Sequence, residues 1–303
     1  MKPRMRTRRQ FLKAGLGLCG LMPAVAWAQG PRSLARGVYL VDAGTNVVVL
    51  DTDDGFVLVD TGSPGTAEAL LVELAAIAPG RDVSTAFNTH YHLENTGGNA
   101  RMTRAGARVL AHENTRIWMA TDVWVPAEDR YREARPGADH PTETFYTDGS
   151  MTVGSERIDY GYLIEAHTSG DIFVFFRDSN VLVAGDVASP ARDPQLDYFT
   201  GAWIGGRGDA MTRLVEMSDS QTVIVPTFGP PVSRAELEAE RDVIEQIYER
   251  TVDRVRQGET VDDMFAAGVM DGLSRTWDEP YAFLYDVHKG LWAHHNKLAP
   301  NVV

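Results

Sequence analysis

Two apolar runs that each lead into an aspartate set the plan of this chain. Val57-Leu58-Val59 ends in Asp60, and Val181 to Ala184 continues through Gly185 into Asp186. Continuous apolar runs this short predict strands covered on both faces. Each lies in its own series of strands and helices. Two such halves, neither able to bury both faces alone, predict two βα units stacked sheet on sheet with helices outside.

The first half reads as short strands from Gly37 to Asp60, with Asp53-Asp54-Gly55 as a hairpin turn between Thr45–Leu50 and Phe56–Asp60. Ala67, Leu70, Leu71, Leu74 and Ile77 recur at helical spacing, and Pro79-Gly80 stops that helix. Strands are expected at Val83–Asn88 and Arg108–Ala111, and a helix at Asn114–Thr121. Residues 122–150 carry Pro126, Pro136 and Pro141 and read as an irregular surface excursion that overhangs a site. The second half predicts strands at 151–153, 157–164, 172–176, 181–184 and 222–225, and a helix at Asp209–Met217. Ser233-x-x-Glu236 is a capping box opening a long helix to Gln257, and Thr260 caps the helical tail.

The chemistry concentrates in His90-Tyr91-His92-Leu93-Glu94-Asn95, followed by Thr96-Gly97-Gly98-Asn99. In an extended segment residues i and i+2 point the same way. His90 and His92 can then aim two imidazoles at one cation, with a Gly-Gly turn closing the run. His112 reads as a surface residue or a support behind the ligands rather than a ligand; His288, His294 and His295 read as polar-face residues of the helical tail, where adjacent His294 and His295 cannot face one point. Tyr91, Trp118, Trp124 and Trp203 are candidates for a pocket wall or for core. Asp60 reads as a structural acceptor of backbone N–H groups.

Charge and cysteine narrow the chemistry. The chain of 303 residues has a net charge of −13; residues 1–28 hold six basic side chains and no acidic one, so losing them leaves −19. So acidic a surface repels phosphate backbones and anionic membranes, which excludes nucleic-acid partners and adsorption to such membranes. Thr7-Arg8-Arg9-Gln10-Phe11-Leu12-Lys13 resembles the twin-arginine export signal, and Ala26-Trp27-Ala28 is a small-x-small cleavage site. The expectation is a periplasmic protein, exported folded, with no stable membrane insertion of the mature chain. Cys19 is the single cysteine and lies in this leader. Any metal site must therefore use His, Asp and Glu.

Five segments stand in order: Val59-Asp60-Thr61-Gly62; Thr89-His90-Tyr91-His92 with Gly97-Gly98; Ala166-His167-Thr168-Ser169-Gly170-Asp171; Ala184-Gly185-Asp186; and Val225-Pro226-Thr227-Phe228-Gly229-Pro230. From about residue 36 to 257 their order and spacing resemble the metallo-β-lactamase superfamily, and Ala111-His112-Glu113-Asn114 looks like a further family segment. The resemblance implies an α/β (α+β) fold, a four-layer αββα sandwich of two mixed sheets with helices on the outside and a metal site at one sheet edge. It divides the chain into a signal peptide (1–28), the family domain (29–258) and a C-terminal helical extension packed on it (259–303).

The resemblance also assigns ligands. His90, His92 and His167 match the first, second and third histidines of the family pattern, and Asp186 matches its bridging carboxylate. Glu94 stands where the pattern has Asp, Asn95 where it has His, and Phe228 where it has the last His. In the family these three positions form the second metal site. Phe228 cannot ligate, Asn95 is a weak carbonyl donor, and the extra methylene of Glu94 moves its carboxylate by about 1.5 Å against a ligand tolerance of about 0.2 Å. The expected cofactor is one zinc ion on three imidazoles, a sufficient set for a catalytic site.

On this reading Asp186 and Glu94 serve catalysis, Asp186 by binding the metal or the attacking water and Glu94 by orienting that water or acting as general base. Asn95 is a candidate donor to an oxyanion. The expected activity is hydrolysis of a small ester, thioester, lactone or amide. Two alternatives stand beside it. An iron oxygenase of the persulfide dioxygenase type would use His90, His167 and Asp186 as a two-histidine, one-carboxylate face. A non-catalytic accessory protein of a quinoprotein or sulfur-oxidation system would instead bind a periplasmic partner.

Overall fold

The computed structural model describes residues 30–125 and 130–298. The leader and its cleavage site lie outside the described residues. Strands β1 (Arg32–Ala35), β2 (Val38–Asp42), β3 (Asn46–Thr52) and β4 (Gly55–Val59) run antiparallel in succession. The β3–β4 connection is the hairpin expected at Asp53-Asp54-Gly55. Helix α1 (Ala67–Ile77) then crosses over to β5 (Val83–Phe87), parallel to β4. Short helices α2 (Leu93–Thr96) and α3 (Asn99–Arg104) lead to β6 (Arg108–His112), followed by α4 (Glu113–Met119).

The second sheet has the same plan. After a small ribbon of β7 (Val123–Val125) and β8 (Arg130–Arg132) and the short β9 (Glu143–Phe145) come β10 (Gly149–Val153), β11 (Glu156–Tyr162), β12 (Ile172–Phe176) and β13 (Val181–Gly185). These last four run antiparallel in succession, and α5 (Ile204–Met217) crosses over to β14 (Val223–Pro226), parallel to β13. Helices α6 (Arg234–Arg256), α7 (Val261–Ala266) and α8 (Pro280–Leu298) complete the chain. The sheet orders are β1-β2-β3-β4-β5-β6-β9 and β10-β11-β12-β13-β14.

Strand alternation explains the continuous apolar runs. In β4, Val57 and Val59 face the second sheet, while Phe56 and Leu58 face α1 through Leu70 and Leu74. In β13, Val181 and Val183 face the first sheet, and Leu182 packs under α5, α6 and α8 through Met211, Ile244 and Leu284. The layers are thus helix, sheet, sheet, helix, and the expected αββα fold is present. Helices α7 and α8 contribute Met264, Leu284 and Leu291 to the same cluster as α5 and α6.

Two expectations need correction. Residues 122–150 are not wholly irregular, because β9 joins β6 as the seventh strand of the first sheet. Three residues, two of them exposed, are too short and polar to leave an alternation signal. Helix α5 begins at Ile204 rather than Asp209. Gly205-Gly206 hid its first turn, and a Cβ on Gly206 would lie 2.4 Å from the Glu165 carbonyl oxygen. Glycine there permits close packing of the helix.

Candidate metal centre

The carboxyl ends of β4, β5, β13 and β14 meet at one edge, the usual place for a site in sheets with parallel pairs. The two sheets are tied there by Ile172 N donating to Thr89 O (2.8 Å) and Asn46 N to Thr227 O (2.9 Å). Asp60 follows β4 with φ 64°, a left-handed conformation uncommon for aspartate. It accepts from Thr89 N and Thr89 Oγ1, both at 2.8 Å. This matches its reading as a backbone acceptor, and it fixes the residue next to His90.

The chain bends at 89–91, and His92 is the N-terminal cap of α2 with φ −59° and ψ 144°. The histidine pair therefore converges through a bend and not through an extended strand. Gly97 and Gly98 also differ from expectation. Both have ordinary right-handed backbone (φ −63° and −92°), so no turn requires glycine. A Cβ on Gly98 would sit 2.4 Å from Thr61 O, and one on Gly97 2.5 Å from Pro64 N. The requirement is close approach of α2 to the Asp60-Thr61-Gly62 turn. Gly98→Ala is expected to cost about 1–3 kcal/mol through overpacking, read as a lower urea midpoint with an unchanged slope.

His90, His92, His167 and Asp186 come together, with one potential ligand atom from each lying within 4.8 Å of the others. The imidazole centroids are 4.7–4.8 Å apart in all three pairings. His90 and His167 are fully buried and Asp186 is 3% exposed. The remaining ring nitrogens decide what this arrangement can hold. Thr89 Oγ1 donates to Asp60, so toward His90 Nδ1 (3.0 Å) it is an acceptor. His92 Nε2 lies 3.1 Å from Asp197 Oδ2, and His167 Nδ1 lies 2.9 Å from Gln195 O. Each ring thus donates outward to an oxygen, which fixes its tautomer.

Three lone pairs are left pointing inward. His90 Nε2 is buried without a hydrogen-bond partner, and His92 Nδ1 and His167 Nε2 are 3.1 Å apart with no proton to share between them. Burial, and then repulsion from neighbouring charges, holds His90 and His92 well below the ordinary imidazole range. They are neutral and ready to ligate. A cation satisfies all three lone pairs, so the donor set fits a metal ion, with the neutral-imidazole chemistry that zinc accepts.

Two residues of the surrounding shell, Gln195 and Asp197, lie outside every motif. Asp197 also accepts from the Tyr91 hydroxyl (2.6 Å), and its backbone N–H donates to His167 O (2.9 Å). Burial pushes the Asp197 carboxyl up to about 6, against the lowering effect of the Tyr91 hydrogen bond. Asp171 Oδ2 accepts from the backbone N–H groups of His167 and Thr168, both at 2.7 Å, and so holds the His167 turn. Asp197→Asn is expected to weaken metal binding by about 10–100-fold, because an amide can present N–H to His92 Nε2 and favour the wrong tautomer. Competition with a chromophoric chelator measures it; unchanged affinity would remove Asp197 from this role.

Asp186 Oδ2 lies 3.6 Å from both His90 Nε2 and His167 Nε2, and accepts from Arg192 Nη2 at 2.8 Å. The Arg192 guanidinium lies 3.8 Å over the Phe228 ring. The side-chain N–H groups of Asn95 are spent on Asp60 Oδ2 (2.7 Å) and Thr227 Oγ1 (3.2 Å). Asn95 therefore has no N–H for an oxyanion, which corrects that expectation. Burial pushes Asp60 up to about 7 despite its three donors.

Glu94 is not part of the four-residue cluster. It borders an adjoining cavity of about 640 Å³, together with Tyr91, His92, Trp118, Arg132 and Arg135. Residues 130–139 wall this cavity, so the 122–150 segment does overhang the site. Arg135 fastens it by donating to Thr96 Oγ1 (2.5 Å) and Tyr91 O (2.6 Å). Trp203 packs elsewhere, stacked on His294 at 3.6 Å, and Trp124 packs against Tyr131. Of the two readings of His112, the surface one falls: it is buried, caps α4 through Asn114 N and stacks on Tyr162 at 3.9 Å. His288 bonds Glu259 O.

The fold and this donor set agree with comparisons against known proteins. Residues 40–246 match the model of the Metallo-beta-lactamase superfamily, and the chain belongs to that family of metal-dependent enzymes. It is 24% identical over 246 residues to the 2,4-dinitroanisole O-demethylase subunit alpha of Nocardioides sp. (strain JS1661), covering 80% of this chain and 69% of that one. It is 21% identical to a metallo-beta-lactamase type 2 of Bacillus sp. (strain 170), over 61% of this chain and 66% of the other. Among solved structures, a metallo-beta-lactamase from Pontibacter korlensis aligns with TM-score 0.58 and 21% identity, over 71% of this chain and 98% of that one. The inverting sec-alkylsulfatase Pisa1 from Pseudomonas sp. aligns with TM-score 0.64 and 18% identity, over 88% of this chain and half of its own. At these identities the structural likeness speaks for the fold alone.

Proposed function

We propose that this protein is a hydrolase with a single zinc ion, exported to the periplasm by the twin-arginine route, acting on a small ester, thioester, lactone or amide. The observation that carries the reading is the outward hydrogen bonding of His90, His92 and His167, which leaves three neutral lone pairs converging. When bound, zinc supplies a Lewis acid and brings the ionisation of water close to neutral pH. The three imidazoles hold the ion without cancelling its charge. Asp186, kept in place by Arg192, limits where a water can sit. Glu94 on the cavity wall takes the proton from the attacking water, and the 130–139 segment screens the reacting carbonyl from bulk solvent.

His92 is an equal member of the cluster, and Asp186 is engaged by a guanidinium. Both favour a three-imidazole zinc set over a two-histidine, one-carboxylate iron face. Elemental analysis of the purified mature protein tests the reading, with about one zinc per chain expected. Iron that survives His92→Ala but not His167→Ala would replace it with the oxygenase. A metal-free protein that returns one stoichiometric periplasmic partner would replace it with the accessory role. On any ester found to be turned over, Glu94→Gln should lower kcat by about 10²–10⁴-fold with metal content unchanged.

A further inference from the structure

Asp186, Asn95 and Phe228 occupy three positions of the second metal site in the family pattern, and a residue outside every motif stands among them. Asp186 is 3% exposed, and its carboxylate needs a countercharge. Arg192 supplies one through Nη2 at 2.8 Å. The same guanidinium lies 3.8 Å above the face of Phe228. An aromatic face attracts a cation, where an imidazole nitrogen in its place would compete for a metal. Where the family pattern has its last His, Phe228 thus lies under a fixed organic cation.

The loop that delivers Arg192 is clamped from two sides. Gly229, at φ 87°, lies so close to the loop that a Cβ there would meet Ala191 Cβ at 2.5 Å. Arg275 donates to Ser189 O (2.6 Å) and to the Arg192 carbonyl oxygen. Asp193 accepts from the backbone N–H groups of Asp278 and Glu279, at the start of α8. The C-terminal helical region therefore holds the Arg192 loop against the site. The charge of the guanidinium and its hold on Asp186 Oδ2 both oppose a second divalent ion.

We propose that Arg192 is the resident cation of the second-ion position, neutralising Asp186 and keeping a second metal ion out. This rests on the one-ion reading above. The test is zinc stoichiometry, by calorimetric titration and elemental analysis of the full mature chain. Wild type and the Asn95→His/Phe228→His variant should each take one ion, and adding Arg192→Ser to that variant should raise the count to two. Two ions in Asn95→His/Phe228→His with Arg192 present would overturn the inference, as would one ion in a folded triple variant. If circular dichroism shows the triple variant unfolded, Phe228→His is compared with Phe228→His/Arg192→Ser at saturating zinc. A second ion only without Arg192 supports the proposal, and equal counts overturn it. Wild type holding two ions, or none, would instead sink the one-ion reading itself.

Discussion

His167→Ala should empty the metal centre while leaving the fold intact. The backbone of His167 is held independently of its ring, by Asp171 on the N–H and by Asp197 N on the carbonyl. Only the ring supplies a lone pair to the cluster, and its loss leaves two imidazoles and an aspartate already paired with Arg192. Removing a ligand should cost more than the ~10–100-fold that removal of an outer partner costs. Zinc retained through gel filtration should fall from about one per chain to a small fraction of that, with far-ultraviolet circular dichroism unchanged. Full retention at unaltered affinity would mean that the rings converge without sharing an ion.

Glu240→Leu should be the most damaging single change to stability. Arg207 is completely buried, with Nη2 3.6 Å from Glu240 Oε1, and Arg275 Nη1 lies 3.5 Å from the same oxygen. Both Glu240 oxygens also accept from Ser189 N, at 3.0 and 3.1 Å. Burial lowers the Arg207 pKa, and Glu240 opposes that shift. With the carboxylate gone, two guanidinium groups lose their common countercharge, at a cost of about 3–5 kcal/mol. Urea denaturation measures it. A loss below about 1 kcal/mol would show that the arginines relax to solvent, as exposed pairs do. Because Arg275 also clamps the Arg192 loop, the same variant should loosen the metal centre.

The two halves were legible because burial on both faces demands apolar residues at every position of a short strand, and β4 and β13 obey it. The hairpin at Asp53-Asp54-Gly55, the capping box at Ser233 and the cap at Thr260 were legible because their signals are local. Strand β9 and the first turn of α5 were not. One is a short polar edge strand whose pairing comes from β6, and the other holds Gly206, required by a neighbouring carbonyl. Gly98 makes the same point within the site: its identity was visible, but its reason was contact with Thr61, 37 residues away.

The sequence by itself determined which side chains were available to ligate: with Cys19 as its single cysteine, far from the strand-end segments, histidines and carboxylates there remained. It also determined which family pattern they follow and where they depart from it. Only the tertiary structure decided which nitrogen each ring turns inward, because Thr89 reaches one ring from the loop after β5, and Gln195 and Asp197 reach the other two from the loop after β13. Only it placed Arg192 on Asp186 and Phe228. Local rules govern hydrogen bonds between near neighbours in the chain, whereas the charge and tautomer of a buried group are set by whatever the fold packs against it.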